Sequence, residues 1–334
     1  MVDTVTWTGR TGQRVVVRHR LDTGQLTDVI GELTAVDTAL HVATARGPVA
    51  VPLDRVVAGR VVPPKPSRPG PIHRVTSITD LEAVMALHWR AAETEQLGGW
   101  LLRACAGFTG RANSMLPLGE PPTDPDLALA AVAGWYARRG LPARAALAAA
   151  VDSAEPDDDG PAGRARAACD RAGWQLVHDG SALVLTAPTA ALCGLGELPA
   201  GLEVTLQDTP DDGWLDNYRY RGQLPPPAAL QLLTSAPEQT FASVRDGGST
   251  VAVARGSIGG GWAGLTAVEV RPDRRRRGLA TVLVSALAGW ARRGGATATY
   301  LQVADSNTGA LELYTRLGFE LHHRYDYLQE PQHS

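Results

Sequence analysis

The residues with the clearest chemical potential form an arginine-rich loop that leads into a helix. The stretch reads RPDRRRRGLATVL and spans residues 271–283. Apolar residues recur at helical spacing from 279 to 290, which predicts a helix beginning at about Gly278. A helix start presents free backbone N–H groups and the positive end of the dipole, and both favour an anion. The missing side chain at Gly278 lets a phosphate approach the backbone.

This loop fits a small phosphorylated ligand better than a nucleic acid. Arginines beside the helix start add charge where a diphosphate would lie. A nucleic-acid site usually spreads its basic residues over a helix face or alternates them with aromatic residues, and this loop does neither. The net charge of the 334 residues is −3, so the chain as a whole does not favour polyanions. A solvated basic loop is the alternative.

The elements that must position this loop predict a mixed α/β sheet. From residue 201 we expect a strand, two helical stretches around 211–235, and antiparallel strands up to residue 270. The loop and a helix at 278–293 follow, then a strand, a helix at 308–317 and a last strand. Hairpins followed by a strand–helix–strand unit are typical of an α+β domain.

Two landmarks indicate that this region is a duplicate of the one before it. The sequence AGWYARRG at 133–140 recurs as AGWARRG at 288–294, and RAGWQLVH at 171–178 recurs as RLGFELHH at 316–323. Each landmark ends a predicted helix at a glycine, as a left-handed cap would, before a strand. We therefore predict two related α/β halves, at 75–190 and 200–330. Chance similarity in a chain rich in alanine and arginine is the alternative.

The N-terminal residues predict a separate small domain. Residues 1–62 hold short runs of β-branched residues divided by turns, which indicates five strands in a barrel resembling the SH3-like class. Residues 63–74 are rich in proline and predict a semi-rigid linker. The barrel is interpreted as a docking module, and binding of a peptide or nucleic acid is the alternative.

The loop and the residues after it resemble the GNAT (GCN5-related N-acetyltransferase) superfamily. Arg275, Gly278 and Ala280 supply the pattern Q/R-x-x-G-x-G/A of its motif A. The stretch QVADSNTGALELYTRLGF resembles motif B, with Asn307 followed seven residues later by Tyr314. Both motifs occur in order, so the resemblance covers residues 201–330, and the first half shares only the landmarks.

The resemblance implies acetyl-CoA as co-substrate and an acetyl transfer. Strands 266–270 and 299–303 would part, and the pantetheine arm would pair with the backbone of Val268, Glu269 and Val270. Asn307 would reach the pantetheine arm, and Tyr314 would protonate the departing thiolate. A core tyrosine is the alternative for Tyr314. The diphosphate would take the amides of Arg276, Arg277, Gly278, Leu279, Ala280 and Thr281, beside Arg275.

The acceptor amine must lose a proton, and the base is not obvious. Some relatives carry a glutamate where this chain has Gln302, which is a poor proton acceptor. Glu269 is the proposed substitute, with an ordinary outward-facing strand glutamate as the alternative. His322 and His323 on the final strand are further candidates.

The first half departs from the superfamily pattern. It lacks motif A before its AGWYARRG helix, and Cys169 stands at the position of the catalytic tyrosine. We interpret it as a degenerate copy that supports the active half. Its segment 98–119 is rich in turn residues and is a candidate wall of the substrate cleft, with Arg103, Arg111 and Asn113 as contacts; ordinary hairpins explain it equally well.

The sequence therefore predicts an acetyl-CoA-dependent N-acetyltransferase acting on a primary amine of a small molecule or protein. A non-catalytic acyl-CoA sensor that binds a partner is the alternative. Three scattered cysteines, no apolar run long enough for a membrane and no leader favour a cytoplasmic protein. No metal, membrane or nucleic-acid partner is expected, and either a monomer or a homodimer fits.

Overall fold

The chain forms two compact units, residues 1–65 and 66–334. The structure is a computed structural model that describes residues 7, 10–21, 24–44, 47–61, 70–151, 160–178, 180–220, 222–227 and 229–331. Residues 62–69, which include most of the linker predicted over 63–74, lie outside the described residues.

The first unit is a small β domain. Its described strands are Arg14–Arg20 (β1), Leu26–Val36 (β2), Ala39–Thr44 (β3), Gly47–Pro52 (β4) and Val56–Val61 (β5). They form one antiparallel sheet in the order β4-β3-β2-β1-β5. Alternate β-branched and leucine side chains, among them Val15, Val17, Leu33 and Val42, are buried together as its core.

The second unit combines strands and helices. Its described helices are Ile72–Val75 (α1), Ile78–His88 (α2), Pro125–Ala137 (α3), Pro161–Arg171 (α4), Asp212–Asn217 (α5), Ala229–Leu233 (α6), Leu279–Arg293 (α7) and Thr308–Arg316 (α8). Its described strands are Glu93–Leu97 (β6), Trp100–Ala104 (β7), Leu116–Pro117 (β8), Arg144–Ala149 (β9), Gln175–Leu176 (β10), Ala182–Pro188 (β11), Leu202–Gln207 (β12), Glu238–Asp246 (β13), Ser249–Gly259 (β14), Trp262–Val270 (β15), Ala298–Ala304 (β16) and Glu320–Gln329 (β17). The predicted α+β class is confirmed.

One large sheet organises this unit. Its described strands run in the order β10-β17-β11-β16-β15-β14-β13-β12, and β9 pairs with β17. The β15–β16 pair is parallel, because α7 crosses over between them. Helix α7 buries one apolar face, including Leu283, Val284 and Leu287, against the sheet. The start of α7 is thereby fixed at the end of β15.

Strands of the two predicted halves are interleaved. Strand β11 lies between β16 and β17 and pairs with both. In return, the second part of β17 pairs with β9 and its last two residues pair with β10. Each half therefore completes the other's sheet. The derivation of the halves from one ancestor stays a prediction.

The local geometry of the two landmarks matches. Gly173 and Gly318 both have a positive φ, 72° and 91°, after helices α4 and α8, so the predicted left-handed caps are confirmed. After α3 and α7 the left-handed residues are Gly140 and Gly295, at 63° and 84°. The second of these is one residue later than the glycine of the AGWARRG landmark.

No helix among the described residues has the length and apolarity that crossing a membrane requires. Within the same residues, no group of three or more histidine, cysteine, aspartate or glutamate side chains is placed to hold a metal ion.

His88, at the end of α2, makes the second unit sensitive to acid. Its ring is 1% exposed and lies between the Ser257 hydroxyl and the Gly259 carbonyl, each at 3.2 Å. Burial lowers the pKa of His88 from 6.5 to about 4. As the pH falls below 6.5, the unfolded chain therefore takes up this proton before the folded chain does.

We expect the free energy of unfolding to fall by about 2 kcal/mol between pH 7 and pH 5 because of His88. Urea denaturation of the wild type and His88→Gln at both pH values measures this change. The variant should lose that part of the pH dependence, and an unchanged dependence would contradict the assignment.

Candidate functional site

The site is built around a gap between β15 and β16. The two strands pair over only four residues, Trp262–Leu265 with Ala298–Leu301. Beyond Leu265, β15 continues to Val270 while still paired with β14, and β16 continues to Ala304 while paired with β11. The predicted parting of the two strands is thus present, and one backbone edge of Val268–Val270 faces no strand among the described residues.

A bulge in β15 accompanies this gap. The register between β14 and β15 shifts between Val253, which lies opposite Glu269, and Arg255, which lies opposite Thr266. Ala267, in the bulge, has a φ of +54°, an uncommon conformation for a residue with a side chain. Bulges bend a strand and increase its twist, which accounts for the departure of β15 from β16.

The loop from 271 to 278 brings free amides to the end of this gap. Arg276 and Gly278 have positive φ values of 64° and 77°, and no side chain caps the helix that follows. In this fully described stretch, the amides of residues 276–281 have no protein acceptor. A Cβ added at Gly278 would meet no atom within 4 Å, so the space before the helix is open. The arrangement suits an anion.

The five arginines at 271 and 274–277 divide into two groups. Arg271 pairs with Asp273, Arg274 pairs with Asp246, and the Arg275 Nε donates to the Val270 carbonyl at 3.2 Å. These contacts brace the loop. Within the described part of the chain, Arg276 and Arg277 make no ion pair or hydrogen bond through their exposed side chains. Two positive charges are therefore available next to the open helix start.

Helix α8 carries both motif B residues. The Asn307 side-chain oxygen caps the helix by accepting from the Ala310 amide at 3.2 Å, and the residue is exposed. Tyr314 is 7% exposed and packs edge-on against Phe319, with ring centroids 5.6 Å apart. Burial, together with the charge of Glu269, raises the pKa of the Tyr314 phenol, so it stays protonated at neutral pH. The phenol oxygen has no hydrogen-bond partner among the described residues.

Glu269 lies on β15 within the gap region. Its carboxylate makes no salt bridge within the described residues, and partial burial raises its pKa above 4.5 against the opposing effects of Arg275 and Arg219. Its charge acts on both the Tyr314 and the Tyr218 phenols. A carboxylate with a raised pKa is a better proton acceptor than an exposed one.

The three candidate residues of the segment 98–119 make different contacts. Asn113 holds its own loop together, accepting from the Cys105 and Gly107 amides at 2.8 and 3.0 Å. Arg103 is 5% exposed and donates to the Ser114 carbonyl and hydroxyl. Arg111 instead donates to the Gln302 side chain on β16, and its guanidinium lies 4.9 Å from the Trp89 ring centroid.

The two histidines of β17 lie in a hydrogen-bonded chain. The His322 Nε2 is 3.0 Å from the Thr76 carbonyl, its Nδ1 is 2.8 Å from the His323 Nδ1, and the His323 Nε2 is 2.9 Å from Glu82. Burial, with the charge of His323, lowers the pKa of His322 to about 4. His322 is therefore a weak base at neutral pH. No sequence pattern points to Glu82, because a glutamate on an amphipathic helix is ordinary.

Two family models and two relatives match most of the chain. A family model described as the C-terminal part of "Probable histone acetyltransferase Rv0428c" matches residues 75–328, and one described as the "Rv0428c N-terminal Sm-like domain" matches residues 10–60. The Mycobacterium tuberculosis protein named "Probable histone acetyltransferase Rv0428c" is 35% identical, over 97% of this chain and 96% of its own length. "Uncharacterized N-acetyltransferase YobR" of Bacillus subtilis is 26% identical, over 72% of this chain and 94% of its own.

Solved structures share the fold of the second unit. A GCN5-related N-acetyltransferase from Kribbella flavida has a TM-score of 0.55 and 19% identity, over 76% of this chain and 96% of its own. A tandem GNAT protein from the clavulanic acid biosynthesis pathway also has a TM-score of 0.55, with 16% identity, over 80% of this chain and 92% of its own.

Proposed function

The chain belongs to the GNAT acetyltransferases, in the family of the probable histone acetyltransferase Rv0428c, and we propose that it transfers an acetyl group from acetyl-CoA directly to a primary amine. The observation that carries this proposal is the meeting of the β15–β16 gap with the uncapped start of α7. The acceptor is an amine of a small molecule or of a protein.

The gap and the loop bind different parts of acetyl-CoA. The free edge of Val268–Val270 takes the pantetheine arm as an added strand, since its amide groups are a template for β pairing. The amides of residues 276–281 and the free side chains of Arg276 and Arg277 take the diphosphate. Asn307 lies at the far side of the gap, where its carboxamide nitrogen is free of protein acceptors among the described residues.

The transfer needs one proton taken up and one delivered. The neutral amine attacks the thioester carbonyl, the new C–N bond forms, and the C–S bond breaks. Glu269 takes the proton that the amine loses, and Tyr314 gives its phenol proton to the leaving thiolate. Burial makes Glu269 more basic, which supports its role as base. Burial also keeps Tyr314 protonated, so the phenol has a proton to give, although the same burial makes it a weaker acid.

The sensor alternative depends on the absence of a glutamate at residue 302. Gln302 is engaged by Arg111, and a carboxylate is available at Glu269. The geometry favours the enzyme.

We predict that Gly278→Glu abolishes acetyl-CoA binding measured by calorimetric titration. The new side chain enters the open space before α7, where the diphosphate lies, and carries a negative charge. Gly295→Glu is the matched control, since Gly295 also has a positive φ and open space around it but lies beyond the other end of α7. Equal loss of binding in both variants would attribute the effect to backbone strain.

We predict that Tyr314→Phe lowers kcat for CoA release about 10²-fold or more, because the leaving thiolate loses its proton donor. The affinity for acetyl-CoA and the melting temperature should be nearly unchanged, since the phenol oxygen has no protein partner. An unchanged kcat would remove Tyr314 from the chemistry.

We predict that Glu269→Gln lowers kcat about 10²-fold near pH 7. The deficit should shrink as the pH rises, because a growing share of the acceptor amine is then neutral in solution. A pH profile of both proteins measures this, and a deficit that is constant from pH 7 to pH 10 would show that Glu269 only positions the substrates.

A further inference from the structure

A second feature of the site is a cavity beside Gln302. Its free space is small, about 10 Å³, which is room for a single water molecule, and it opens in part to solvent. Its lining includes two guanidinium groups, one carboxylate, one amide and two phenols: Arg103, Arg111, Glu82, Gln302, Tyr325 and Tyr327. The apolar part of the lining comes from α2, from Trp89 and from Ala146 of β9.

Arg111 and Arg103 both lack a counter-charge in this lining, and Arg111 is the more exposed of the two. The hydrogen bond of Arg111 to Gln302 uses one of its five N–H donors, and the guanidinium also lies over the face of Trp89. No carboxylate lies within salt-bridge distance among the residues that the structure describes. A half-buried guanidinium without an anion is costly, and a ligand anion removes that cost.

The other two charged side chains of the cavity, Arg103 and Glu82, already have partners within the protein. Arg103 is fixed by two hydrogen bonds to Ser114. The Glu82 carboxylate is 2.9 Å from the His323 Nε2. His322 directs its Nε2–H to the Thr76 carbonyl, so its Nδ1 accepts from the His323 Nδ1–H, and the His323 Nε2 faces the Glu82 carboxylate. Glu82 therefore does not neutralise Arg111.

Gln302 explains why the charge of Arg111 is preserved. A glutamate at this position would pair with Arg111 and cancel its charge in the cavity. The amide oxygen orients the guanidinium and leaves it positive. The amide nitrogen lies 3.3 Å from the Met85 sulfur, which fixes the side chain against α2.

The cavity lies next to the gap that holds the thioester in the proposed function. Gln302 directly follows Leu301, the last residue of β16 that pairs with β15. Ala112, beside Arg111, shares one apolar cluster with Ala267 of the bulge and with Tyr218. The Tyr218 phenol senses the charges of both Arg111 and Glu269. The cluster around Tyr218 thus lies close to both Arg111 and Glu269.

We propose that Arg111 binds a carboxylate group of the acceptor, so that the preferred acceptor is a small amine that also carries a carboxylate, such as an amino acid. This inference rests on the acetyl transfer proposed above. A planar guanidinium matches a planar carboxylate, and the single charge of a carboxylate is balanced by Arg111 alone. The carboxylate lies at Arg111 and the amine faces Glu269 and the gap.

Matched pairs of acceptors test this proposal. CoA release from acetyl-CoA is measured with amino acids and with the amines that lack only the carboxylate, such as L-lysine with cadaverine and L-phenylalanine with phenethylamine. The wild type should favour the carboxylate-bearing members about 10- to 100-fold in kcat/KM. Equal rates within the pairs would overturn the proposal and leave the acetyl transfer standing.

Three variants locate the preference. Arg111→Met should abolish it, and Gln302→Glu should abolish it with Arg111 still present, because the new carboxylate occupies the guanidinium. Arg138→Met removes an exposed arginine of the second unit and should leave the preference unchanged. Acetyl-CoA titration confirms that each variant still folds and binds. A preference that survives Arg111→Met contradicts the assignment.

Product binding separates the inference from the transfer itself. The N-acetylated forms of the same pairs are titrated into the protein in the presence of CoA. If no pair member is turned over but the N-acetyl amino acids still bind, and bind only when Arg111 is present, the carboxylate site stands and the transfer fails. If neither turnover nor product binding distinguishes the members of a pair, the carboxylate site is refuted.

Discussion

The site depends on the parting of two parallel strands. Strands β15 and β16 pair for four residues and then separate, because β15 stays with β14 through the bulge at Ala267 and β16 stays with β11. A sheet interior normally leaves no backbone edge free. Here a free edge, the start of α7 and the buried Tyr314 all meet at the same opening, which is what a thioester substrate with a long arm requires.

The interleaving of the strands positions the residues that we propose to face the acceptor. Strand β11 supports β16 from the side away from the gap, and so holds Gln302 in place. The segment after β7 then brings Arg111 onto Gln302. In the proposed function, residues far from the two family motifs thereby contribute to the environment of the second substrate. The earlier part of the unit is thus a structural partner of the later part and also a source of side chains for the cavity.

The sequence predicted the motif-bearing elements and could not predict the cavity. The loop, α7 and the cap at Gly318 follow from local signals, namely helical periodicity, glycine and a polar cap residue, and these suffice for residues close in sequence. The Arg111–Gln302 contact joins residues 191 apart, so no local pattern reports it. For the same reason no local pattern indicates Glu82. The sequence also suggests Asn113 as a substrate contact, although this residue holds its own loop together. The pairing of β11 with β16 and β17 depends on long-range order that the repeated landmarks only suggest.

The central claim is that the amides of residues 276–281 and the edge of Val268–Val270 bind acetyl-CoA, and hydrogen exchange tests it most directly. Deuterium uptake of the full chain is compared with and without saturating acetyl-CoA, by mass spectrometry of peptides that cover 262–304. The account predicts strong new protection in peptides containing 268–270 and 276–281, with little change across 285–295. Protection that is absent there, or that appears elsewhere in the second unit, would contradict it.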